Sequence, residues 1–204
     1  MATLYNIKGK KVLFIHIPKT GGSSIGSVLK PYEMGVKNLE GHQGYEECLK
    51  RVKPDEVFTV VRNPWDWRAS WYHYVKNDKN GNDSGCVFEH RKSKNQSFNE
   101  HLDWLENESK KKFTISSYAG KQVQVFIKPQ SKYIEGCDNI KILRFENLKK
   151  DFEDYMLELG LPLKLNKHER KSNNNNYKNM YGNKNIDVVK KLWCDDINNF
   201  NYEY

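Results

Sequence analysis

Residues 11–30, KVLFIHIPKTGGSSIGSVLK, constrain the fold more than any other stretch of the chain. The opening KVLFIHI is a mostly apolar run, the pattern of a parallel strand buried on both faces rather than of a strand with one wet side. Pro18 ends it. Lys19, Thr20, Gly21, Gly22, Ser23 and Ser24 follow, and helical sequence then continues to about Lys30, because Pro31 disfavours helical geometry in the residue before it. A buried strand turning through glycines into a helix places unpaired main-chain N–H groups, and the positive end of the helix dipole, where an anion can approach closely. Lys19 adds a mobile positive charge, and Thr20, Ser23 and Ser24 add hydroxyls. The turn is a phosphate cradle of a distinct kind: its lysine precedes the glycines, whereas the nucleotide-triphosphatase loop G-x-x-x-x-G-K-[ST] places it after them.

The rest of the chain continues the alternation of strand and helix. EVFTVV, at 56–61, is a second buried strand. NPWDWRASWYHYVK then reads as a helix, with Asn63 as its N-cap and Pro64 at the first helical position, where a missing N–H does no harm. The polar segment 77–97 reads as a long surface loop. FNEHLDWLENE has helical spacing at Phe98, Leu102 and Leu105, KQVQVFI and NIKILRF read as strands, and NLKKDFEDYMLELG is a helix closed by Gly160. The stretch 168–185 is poor in apolar residues and reads as a loop, and IDVVKKLWCDDINNF as one amphipathic helix. This order predicts an α/β fold, P-loop-like and three-layered, with a central mostly parallel sheet flanked by helices. With 204 residues, the expectation is a single domain spanning 1–204.

The formal net charge of +8 points to an anionic partner without naming its class. Cys48, Cys86, Cys137 and Cys194 form no C-x-x-C pair, so free thiols are expected and no metal site is predicted. No segment has the length of a signal peptide's apolar region or of a membrane span, and the expectation is a soluble, cytoplasmic protein without a membrane partner.

In TVVRNPWDWRASWYHY, Arg62 ends the second buried strand and Ser70 lies on the helix after it. A guanidinium with a hydroxyl makes a good phosphate clamp, because the planar donor fork matches phosphate oxygens. Taken together, FIHIPKTGGSSI, VVRNPWDWRASWYHY and KILRFENL resemble the sulfotransferase family, in particular its carbohydrate-type, heparan-like branch. The resemblance runs from about Val12 to the C-terminus. It implies transfer of a sulfuryl group from 3′-phosphoadenosine 5′-phosphosulfate (PAPS, leaving the product PAP) to an acceptor hydroxyl of a glycan or small molecule. Lys19, Thr20, Gly21, Gly22, Ser23 and Ser24 match the loop that binds the 5′-phosphosulfate, and Arg62 and Ser70 match the 3′-phosphate clamp.

Sulfuryl transfer calls for a base facing the leaving group, with positive charge beside the bridging oxygen. Lys19 suits the second task, and no metal is required in principle. For the first, His42 in EGHQGYEE lies in a glycine-flanked loop between the two phosphate motifs, where the resemblance places a histidine base; Glu46 and Glu47 are the alternatives, since similar sulfotransferases use a glutamate. His16, inside the first strand, reads as structural. Gln130 and Tyr133 in KPQSKY resemble a family segment near the active site, with no role assigned. Two other functions share parts of this pattern. A nucleotide or small-molecule kinase needs the full phosphate-loop frame and an acidic magnesium ligand at a strand end, whereas Asp55 and Glu56 precede a strand. A nucleic-acid-binding module needs its basic residues gathered on one face, whereas here they are spread along the chain; no nucleic-acid partner is expected.

Overall fold

The structure is a computed structural model of the chain, describing residues 2–39, 42–77, 87–110, 115–118, 121–124, 128–165 and 176–204. In chain order its elements are β1 (Thr3–Ile7), β2 (Lys10–Ile15), α1 (Gly22–Leu29), α2 (Tyr45–Leu49), β3 (Glu56–Val61), α3 (Pro64–Asn77), α4 (Val87–Lys94), α5 (Phe98–Ser109), β4 (Ile115–Tyr118), β5 (Lys121–Gln124), β6 (Lys141–Arg144), α6 (Leu148–Glu158), α7 (Asn183–Leu192) and α8 (Cys194–Phe200). Four strands form the main sheet in the order β1-β2-β3-β6. The β2–β3 and β3–β6 pairs are parallel, and β1 joins the edge antiparallel to β2. The class is α/β with a mostly parallel sheet flanked by helices, as the sequence predicts.

The chain divides into two compact units. The first comprises 1–62 and 130–171 and holds the main sheet; the second comprises 63–129 and 172–204. In the first unit, Tyr5, Val12, Phe14, Phe58, Val60 and Leu143 form one buried sheet face, which packs with Ile25 and Leu29 of α1 and Leu148, Phe152 and Met156 of α6. The alternate residues Leu13, Ile15, Thr59 and Val61 are fully buried as well. Such two-sided burial is what an unbroken apolar strand requires, and each large side chain withdrawn from water contributes about 1.5–3 kcal/mol. Helix α6 stops at Gly160, whose φ of 73° lets its N–H reach the Leu157 carbonyl at 2.8 Å while Leu161 bonds back to Met156 at 2.8 Å.

In the second unit, Asn63 caps α3 as its sequence predicts: its Oδ1 accepts from the Trp65 N–H at 3.1 Å. Helix α5 opens with a capping box between Ser97 and Glu100. The structure departs from the sequence reading in four places. Strand β1 was not expected, because its hairpin turns through Lys8 and Gly9 at positive φ, and a lysine there hides the turn signal. The predicted loop at 77–97 contains α4, whose Glu89 is buried against Arg68 and His101, a tertiary reward that local polarity does not reveal. KQVQ pairs with β4 in a separate two-stranded antiparallel sheet. The single C-terminal helix is two, broken at the buried Trp193. Of the predicted loop at 168–185, residues 168–175 lie outside the described residues; Tyr177–Met180 form a short 3-10 turn. No helix among the described residues is long and apolar enough to cross a membrane. Cys48, Cys137 and Cys194 are free thiols, and Cys86 lies outside the described residues.

Candidate active site

The turn between β2 and α1 is held in a conformation few sequences adopt. Lys19 has a φ of 64° and Gly21 a φ of 88°, so two left-handed residues bracket Thr20. For a lysine this conformation costs about 1–2 kcal/mol, and such strain gathers at functional sites. Thr20 is fully buried and its hydroxyl donates to the Ile17 carbonyl at 2.8 Å, which ties the turn together. Thr20 therefore braces the loop with the hydroxyl that the sequence assigns to a phosphate.

Both glycines are demanded by close neighbours. A Cβ on Gly21 would stand 2.6 Å from Leu148 Cδ2, and one on Gly22 would collide with the His16 ring. Helix α1 then starts with no side-chain cap and no acidic residue in its first turn, so its positive end is open to an anion. Ser23 is exposed at that end, and Ser24 is buried behind it.

Arg62 follows the last residue of β3 and is 4% exposed. Its Nη1 donates to the Lys19 carbonyl at 2.9 Å, and its guanidinium carbon lies 4.0 Å from the centre of the Phe145 ring. The Arg62 main chain is clasped by one side chain: its N–H donates to Gln130 Oε1 at 2.9 Å, and its carbonyl accepts from Gln130 Nε2 at 2.8 Å. Gln130, fully buried, thus satisfies both polar groups of the strand end as a neighbouring strand would. The two motifs separated by over forty residues in sequence meet here.

His42 meets the same turn. Its Nδ1 lies 3.0 Å from the His16 carbonyl oxygen, and since a carbonyl only accepts, Nδ1 carries the proton and Nε2 keeps the lone pair. Burial holds the His42 pKa below the ordinary histidine value, partly offset by that hydrogen bond. His16, half-buried, is pushed down to about 2, first by burial, with His42 adding to it. Glu46 and Glu47 are exposed in the first turn of α2.

The first unit thus brings together Lys19, Thr20, Gly21, Gly22, Ser23, Ser24, Arg62 and His42. Ser70 belongs to α3 of the second unit and is 2% exposed. Beside it in sequence, Arg68 is fully buried and its Nη2 meets Glu89 Oε1 at 3.1 Å, an oxygen that His101 Nε2 also approaches at 3.0 Å. Sequence reasoning gave no role to Gln130, His16 or Phe145. For Gln130 a signal existed, the KPQSKY segment.

No family model matches the chain, and no curated protein matches it in sequence. Among solved structures it is similar to the mouse sulfotransferase SULT7A1 complexed with PAP, with a TM-score of 0.53 and 13% identity over 92% of this chain and 84% of that one. The fold is a sulfotransferase fold. Within it, the glycine turn and the β3 end carry the residues singled out above.

Proposed function

We propose that the whole chain, 1–204, acts as one PAPS-dependent sulfotransferase domain that sulfates a hydroxyl of a carbohydrate or small molecule in the cytoplasm. The observation that carries this reading is the meeting of Arg62 with the Lys19 turn inside a sulfotransferase fold. The residues present suit such a donor: a helix start with no side-chain cap and no acidic residue in its first turn, a lysine in the turn before it and a guanidinium against that turn are all chemistry for a doubly phosphorylated ligand.

When bound, PAPS supplies the sulfuryl group. Lys19, Ser23 and the first amides of α1 would hold its 5′ end, Gly21 and Gly22 would allow close approach, Ser24 and Thr20 would support the turn, and Arg62 would take the 3′-phosphate. His42 Nε2 would take the proton of the acceptor hydroxyl as the sulfuryl group passes to that oxygen. Lys19 would offset the charge left on the bridging oxygen.

Calorimetric titration with PAP, ATP and a DNA duplex tests this reading directly. Micromolar binding of PAP with at least tenfold weaker binding of ATP is expected. Equal affinity for ATP, or tighter binding of DNA, overturns it. A panel of hydroxyl acceptors with labelled PAPS then identifies the substrate, with anionic glycans the first to try given the net charge of +8.

A further inference from the structure

The chemistry above uses His16 only through its carbonyl, yet its side chain is among the most constrained in the turn. The ring stacks on Phe14, with centroids 5.6 Å apart and an interplanar angle of 18°. It also lies so close over Gly22, the first residue of α1, that its Cδ2 and Nε2 would collide with any Cβ there. It meets the His42 ring edge to face, at 5.0 Å and 66°. One imidazole therefore touches the strand, the start of the anion-binding helix and the residue assigned as base.

We propose that His16 is a positioning residue for His42: its carbonyl fixes the His42 tautomer and its ring fixes the angle at which His42 presents Nε2 beside the glycine turn. The catalytic consequence rests on the sulfotransferase reading; the tautomer and orientation do not. The ring must also stay neutral, because a second imidazolium in contact with His42 would strip it of basicity. Burial is the chief cause that keeps it so, and His42 is a described titratable group in contact with it. Gly22 completes the device, since only a residue without Cβ lets the ring lie where it does.

The test is imidazole ¹⁵N NMR of the full chain through a pH titration, with His42→Gln assigning the His42 signals. Wild type should show His42 protonated on Nδ1 and titrating below the ordinary histidine value. In His16→Ala, and in His16→Gln should the alanine variant not fold, Nδ1 should stay protonated, because the residue-16 carbonyl remains, while the His42 ¹⁵N shifts should change and its pKa should rise with the neighbouring ring gone. PAP affinity should stay within about twofold while kcat falls on the order of tenfold to a hundredfold, the effect of misplacing a group by about an ångström, and the acid limb of kcat/KM should move to higher pH. A wild-type His42 protonated on Nε2, or an unchanged His42 titration in a folded His16 variant, overturns the inference. If wild type binds no PAP and transfers no sulfate, the sulfotransferase reading falls, and the NMR comparison still decides this one.

Discussion

The Arg62 guanidinium donates to the Lys19 carbonyl at 2.9 Å, which fastens the end of β3 to the main chain of the glycine turn. A bond to the main chain does not depend on the identity of residue 19. It holds the turn in place through the backbone alone.

Arg62→Ala should therefore damage two things at once. PAP affinity should fall on the order of tenfold to a hundredfold with the charge-assisted contact gone, and stability should fall by about 1–3 kcal/mol as the Lys19 carbonyl loses its donor and Phe145 its stacking partner. Lys19→Ala should weaken PAP binding and turnover with little loss of stability. Paired calorimetry and urea denaturation separate the two; an Arg62→Ala protein with unchanged PAP affinity removes the clamp role.

Gly22→Ala should destabilise the chain by more than the fraction of a kcal/mol that alanine usually gains at the start of a helix. Its Cβ has no place except where the His16 ring lies. The expected cost is about 1–3 kcal/mol, read as a lower denaturation midpoint. Gly26→Ala, on the same helix with open space around its Cβ position, is the control and should be neutral or stabilising.

Stability should fall on acidification, and the sign follows from His16. Its folded pKa is depressed to about 2 against an ordinary 6.5, so between those values the unfolded chain binds the extra proton and stability rises with pH. His42 is displaced in the same direction. The melting temperature should thus drop as pH is lowered from 7 through 6.5 toward 4, and His16→Gln should flatten that slope. An unchanged slope in the variant assigns acid lability elsewhere.

In the second unit, Glu89→Ala should cost about 3–5 kcal/mol by removing the buried carboxylate that the Arg68 guanidinium meets at 3.1 Å. The double variant Arg68→Met with Glu89→Leu should recover much of this, because an apolar pair carries no desolvation penalty. Urea denaturation of the three variants makes the comparison.

What the sequence made legible is what local chemistry dictates. The unbroken apolar runs announced β2 and β3, Asn63 and Pro64 announced the start of α3, and Gly21 and Gly22 announced the tight turn into α1, since each signal sits within a few neighbouring residues. The missed features depend on partners distant in sequence. Glu89 makes a helix worth forming only when Arg68 and His101 are there to meet it. Gln130 gains its role from a strand end 68 residues earlier. His16 read as a structural histidine, and nothing in the sequence reveals that its ring covers Gly22 and faces His42.

The paired bonds between Gln130 and the Arg62 main chain also have an evolutionary meaning. They join the last residue before segment 63–129 to the first residue after it, so that long excursion begins and ends at one stitched point. Segments closed this way can lengthen, shrink or exchange their contents while the anchored frame keeps its shape. Related chains should therefore tolerate insertions and deletions between these two residues more readily than within the frame they close.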